Sequence, residues 1–229
     1  METTDIVNFL MRWLHYVFGI IWIGHLYYFN FTQVPFFGET DAATKSNAIQ
    51  KLVPRALWWF RWGAMFTFIT GLVMLGIWGH KVGGEALKTS YGLFISVGAL
   101  LGTIMFLNVW LIIWPSQKVV IESTTNVAQG KAALPNAAAK GAAALLASRS
   151  NTMFSIPMLF FMGAASHLNI HAPTSGDYMG ALAACCVVIA LLEANAIKGK
   201  LGPLASVRGV IHAGVGLTAV LFGVIYFLA

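Results

Sequence analysis

The chain has 229 residues, 58% of them hydrophobic and only 10% charged, with a formal net charge of +6. One soluble core of this size could not hide that much apolar surface, so the balance excludes an ordinary soluble domain and points to lipid as the solvent. The basic residues are scattered among the connections between apolar runs, which argues against nucleic acid as a partner.

Six segments of about 20 apolar residues can each cross a bilayer as a helix. They cover residues 6–31, 55–79, 91–114, 151–170, 178–197 and 207–228. The expected fold is an all-α polytopic membrane helix bundle, a single integral membrane domain over 1–229. The first segment follows Met1-Glu-Thr-Thr-Asp5, without the basic start, short core and small-residue cleavage site of a secretory signal. It is therefore expected to be retained. It is also the most informative, because it carries Arg12, His15 and His25, and ionisable residues in a membrane helix mark pathways, proton relays or bound cofactors.

The second segment starts beside Pro54 and runs to His80. The third contains Gly98-x-x-x-Gly102, a spacing that lets helix backbones approach closely. Trp58, Trp59, Trp62, Trp110 and Trp114 read as an aromatic belt at the membrane interfaces. Residues 116–150 are expected to be a long cytoplasmic loop, with the alanine-rich stretch 132–147 as a short surface helix. Pro157 should kink or break the fourth segment. His167 lies near that segment's outer end and His171 just beyond it. In the fifth, Cys185 and Cys186 read as small packing residues. With no Cys-x-x-Cys or Cys-x-x-Cys-His in the sequence, a covalent c-type haem and a tetrathiolate zinc site are excluded here. Glu193 reads as a partner for Arg208, a proton acceptor or a plain helix-end carboxylate. Of the 14 Lys and Arg residues, all but Arg12, Lys81 and Lys88 fall on the side of the first, third and fifth connections. The positive-inside rule makes that side cytoplasmic and leaves both termini outside, in the periplasm.

There are six histidines, and a rise of about 1.5 Å per residue sets their depths. His15 and His167 fall in the outer half, His25 and His212 in the inner half. A low-spin b haem takes two axial ligands, most often imidazoles, and its propionates seek a cation near the surface. Arg12 precedes His15 by three residues and Arg208 precedes His212 by four, which puts each pair on one helix face. His15 and His167 are the first choice for haem iron, with Arg12 for the propionates. His25, His212 and Arg208 would serve a second haem. His15 and His25 are separated by about 80° of helical rotation, so one haem b is expected rather than two. The alternative is that these histidines are buried polar residues bonding neighbouring helices, that Arg12, Arg61 and Arg208 snorkel, and that His80 and His171 are interfacial.

Several strings resemble a known family. Arg12-Trp-Leu-His15, Trp22-Ile-Gly24, Leu26-Tyr-Tyr-Phe-Asn30-Phe, Trp59-Phe-Arg61-Trp-Gly63, Thr70-Gly-Leu72, the run from Gly102 to Trp110, Trp114-Pro-Ser-Gln-Lys118, Ser150-Asn-Thr152, Ser155-Ile-Pro157 and Ser166-His167 are similar to the urate oxidase N-terminal family. That family is the membrane part of PuuD-type urate hydroxylases. The first-helix histidine also resembles that of more distant protoporphyrinogen oxidase (HemJ-like) and copper-resistance (CopD-like) membrane proteins. The resemblance implies haem b or copper, with His15 and His167 as the matching positions, and a cytochrome c domain outside the membrane. With no haem-c motif in these residues, a separate cytochrome c is expected to supply that part. The expected function is a haem-b electron-transfer subunit of a respiratory-chain redox complex in the bacterial inner membrane. Its expected partners are lipid, other membrane subunits, a cytochrome c and a quinol donor. A urate-oxidising membrane enzyme module and a cofactor-free structural subunit are the alternatives.

Overall fold

Lipid offers no hydrogen bonds, so a membrane chain must satisfy its backbone internally, and helices do this within each segment. The computed structural model describes residues 2–169 and 178–229, and every regular element among them is helical. In chain order they are α1 (Thr3–Tyr27), α2 (Val34–Glu39), α3 (Ala42–Lys51), α4 (Val53–Val82), α5 (Ser90–Asn108), α6 (Trp114–Ala128), α7 (Ala137–His167), α8 (Tyr178–Lys198) and α9 (Val207–Leu228). Five stretches are long and apolar enough to cross a membrane: Thr3–Glu39, Val53–Lys88, Ser90–Ala128, Tyr178–Lys198 and Val207–Leu228. The expected segment 151–170 falls largely within α7, which has 31 residues but is not among them. His171 lies outside the described residues.

Two of these stretches run past a proline. Pro35 and Pro115 are the second residues of α2 and α6, where each ring crowds the carbonyl four residues back. In both places the preceding turn widens into a π-helix, Tyr28–Gln33 and Val109–Ile113, which accommodates the proline without ending the helical path. The first and third membrane stretches thereby reach 37 and 39 residues. Residues 116–150 are therefore not a long loop. Helix α6 carries the chain to Ala128 and α7 begins at Ala137, so only 129–136 connect them. The stretch 132–147 is not a separate surface helix either. Its residues after the turn at Pro135 and Asn136 form the first part of α7, because no further proline interrupts the run before Pro157. Helix α7 also continues unbroken through Pro157. The Met153 carbonyl, which Pro157 has no N–H to meet, faces α9 at Gly214, where a Cβ would lie 2.9 Å from that oxygen.

Helices α1 and α4 form an antiparallel pair. Gly63 brings them together, since a Cβ there would lie 3.0 Å from the Trp22 backbone nitrogen. Helix α7 is the centre of the remaining bundle and packs on α5, α6, α8 and α9. The Gly98 and Gly102 spacing works as expected: a Cβ at Gly98 would lie 3.3 Å from the Met162 backbone, and one at Gly102 3.6 Å from the Met158 sulfur. Aromatic pairs join α4 to α5, with Phe68 and Phe106 stacked at 4.2 Å. Outside the membrane stretches, Asp41 caps α3. Its carboxylate accepts from the Thr44 hydroxyl and from the Thr44 and Ala43 N–H groups, which hold it below the ordinary aspartate range.

The glycine contacts give a direct test. Gly214→Ala pushes a methyl into the α7 backbone and should destabilise the protein by about 1–3 kcal/mol. Gly76→Ala, where a Cβ meets nothing within 4 Å, should leave the thermal unfolding midpoint of the detergent-purified protein unchanged or slightly higher.

Candidate functional site

His15 lies on the N-terminal half of α1, a helix whose buried residues begin only at Trp22. Its ring packs onto α4 at Gly71. A Cβ at that glycine would lie 3.2 Å from His15 Cε1 and 3.5 Å from Nδ1, so the absence of a side chain makes room for the imidazole. The next residue back, Thr70, is buried, and its Oγ1 lies 3.2 Å from His15 Nδ1. The Thr70 hydroxyl donates its one hydrogen to the Phe66 carbonyl at 2.7 Å, shared with that of Thr67 at 3.0 Å. It can then only accept from His15. Nδ1–H is the donor that satisfies all of these contacts together, and this tautomer leaves Nε2 with a free lone pair. The bond to Thr70 thus holds one ring nitrogen and leaves the other able to accept.

His25 is built the same way by its own helix. Its Nδ1 donates to the Ile21 carbonyl at 2.7 Å, which again leaves Nε2 as the acceptor. His167 is exposed at the last residue of α7, and His212 is exposed on the second turn of α9. The Tyr27 hydroxyl meets Ser155 Oγ at 2.9 Å. His15 and His167 each lie twelve residues outward of that pair, about 18 Å along their helices. The first-choice ligands therefore share a depth. No hydrogen bond or ring contact joins them among the described residues, nor does one join His25 to His212. Arg12 and Arg208 are both exposed. Glu193 has no contact with Arg208; the one ion pair among the described residues is Lys88–Glu85.

The structure gives several polar groups inside the bundle partners or surroundings that the sequence did not. Asn108 Nδ2 donates to both Asn151 Oδ1 at 2.9 Å and Glu193 Oε2 at 3.0 Å, and Asn151 donates to the Met105 carbonyl. Arg149, expected in a loop, is buried within α7 at 4% exposure, with Nη1 unpaired. Arg61 lies against aromatic faces, 3.9 Å from the Trp114 ring centre and 6.0 Å from those of Trp62 and Trp110. These three tryptophans, expected in an interfacial belt, therefore also hold a cation. The available signal was a polar residue inside an apolar run, which names the residue but not its partner.

Residues 81–198 match the family model described as urate oxidase N-terminal. This is just over half of the chain. The chain belongs to the urate oxidase N-terminal family. No curated protein and no solved structure matches it. The matched span runs from the end of α4 through α8 and includes His167, whereas Arg12, His15 and His25 lie before it and Arg208 and His212 after it.

As donors, these residues fit a haem. His15 and His25 each hold Nε2 open on a membrane helix, and His167 offers an exposed imidazole at the depth of His15. No group of three or more His, Cys, Asp or Glu residues is gathered for a bare metal ion among the described residues. The tautomer argument is testable by 15N NMR of histidine-labelled protein. Thr70→Val should lose the Nδ1–H preference of His15, and Thr70→Ser should retain it.

Proposed function

We propose that this chain is a haem-b-binding subunit that passes electrons across the outer half of a bacterial inner membrane to a separate cytochrome c. The observation that carries this reading is the fixed tautomer of His15, an imidazole with Nε2 free on a membrane helix. His15 and His167 would be the axial ligands, and Arg12, one turn outward of His15, would meet the propionates. When bound, the haem supplies a one-electron couple. Thr70 orients the His15 ring, Gly71 gives it space, and the surrounding apolar side chains keep water from it. One haem is proposed. His25, His212 and Arg208 would serve a second in the inner half.

The proposed topology has six spans with both termini outside. Helix α7 supports the sixth. Its 31 residues extend about 46 Å, enough to cross the hydrocarbon core. The basic connections 40–52 and 199–206 would then face the cytoplasm. Quinol is the proposed donor, held with other membrane subunits.

A reduced-minus-oxidised optical spectrum of the purified protein tests the reading. A bis-histidine b-type spectrum is expected, lost on His15→Ala or His167→Ala and kept on His212→Ala. A folded, haem-free preparation would sink it. The family match favours urate oxidation as a second reading. Urate added anaerobically with a cytochrome c partner should reduce the haem if that reading holds, and leave it oxidised if the chain only relays electrons from quinol.

A further inference from the structure

The two π-turns meet α4, α6 and α7 around a partly enclosed space of about 50 Å³ at one end of the bundle, room for a few waters. Apolar walls such as Leu57 and Ile113 are broken by four polar side chains, Asn30, Gln33, Gln117 and Ser148. Asn30 is 1% exposed. Its Nδ2 donates to the Leu26 carbonyl at 2.9 Å and to Ser148 Oγ at 2.8 Å. Because a carbonyl can only accept, the orientation of this amide is fixed, and Oδ1 is left buried with no partner. Gln33 Oε1, one turn on, is buried and unpartnered too. Leaving two such oxygens dry in one small space costs far more than a hydrogen bond returns.

We infer that this cavity is a binding site for a small electropositive donor that bridges Asn30 Oδ1 and Gln33 Oε1. Asn30 Oδ1, whose orientation is fixed, is an acceptor and calls for a donor or a cation, and the volume excludes an organic ligand larger than a few atoms. Water and an alkali cation share the required chemistry. The occupant joins Asn30 to Gln33 within the first π-turn, beside the Asn30–Ser148 bond that ties that turn to α7, and so stiffens the end of the helix that carries His15 and His25. The site stands independently of any haem.

The sign of one substitution decides the matter. If the cavity is filled, Gln33→Leu strands the occupant, and the thermal unfolding midpoint of the full chain in detergent should fall by roughly 2–4 °C. If it is dry, the same change removes an unpaired polar atom and fills apolar space, the midpoint rises, and the inference is overturned. Gln33→Met, unbranched and of matched length, gives the same test if the leucine variant does not fold. Unfolding of the wild type in sodium, potassium and choline chloride at equal ionic strength separates the sources. A rise with one alkali salt that is absent in the variant assigns a cation, and equal midpoints assign water.

Discussion

The structure depends on a single constraint: polar side chains in lipid need partners from protein. Helix α7 concentrates the problem. Arg149, Ser150, Asn151, Thr152 and Ser155 are all buried along it, and no lipid-facing position would tolerate that run. The helix must take the middle of the bundle, and its neighbours must bring matching groups to the right level. Helix α1 and its π-turn bring Tyr27 and Asn30, α5 brings Asn108 and the Met105 carbonyl, and α8 brings Glu193. Each bond is worth only about 1 kcal/mol in a membrane. Their value lies in register, because a shifted helix would strand several buried groups at once.

The same constraint explains why the inner and outer halves differ. Inward of Tyr27, α1 is tied to α7 and shaped by a π-turn. N-terminal to Trp22 it has no buried residue, and its main packing partner is α4. Within that open half the one well-specified polar contact is His15 on Thr70. A threonine that already donates to its own helix adds little stability by accepting one more bond, but it fixes which imidazole nitrogen is free. The contact at His15 therefore sets the direction of one hydrogen bond more than it adds to packing.

Much of the fold was legible in the sequence, since hydrophobic run length alone locates five membrane stretches, and the Gly98 and Gly102 spacing foretold close packing on α7. What was not legible depended on two competing local signals. Pro115 reads as a helix end, yet the π-turn before it lets the helix pass, which removes the long loop. Arg149 reads as a loop cation because it follows an alanine-rich stretch, yet α7 carries it into the interior. At the candidate site, the sequence supplied His15, His25, His167 and their depths. It could not supply Thr70 or Gly71, because the α1–α4 register that brings them to His15 is a tertiary fact.

The cations complete the argument. Arg61 and Arg149 lie in the inner half without a carboxylate in salt-bridge range, and each is accommodated differently. Arg61 lies on tryptophan faces, where the ring quadrupole offsets part of its lost hydration. Arg149 is enclosed by protein with one nitrogen unpaired. An acidic partner would have neutralised either charge, and Glu193 sits on the same side of the bundle bonded to an amide instead. Keeping acid and base apart leaves the inner half with fixed, uncompensated positive charge above the basic connections. One end of the bundle is thus held by buried polar groups and aromatic-held cations, while the N-terminal half of α1 rests its imidazole on Thr70.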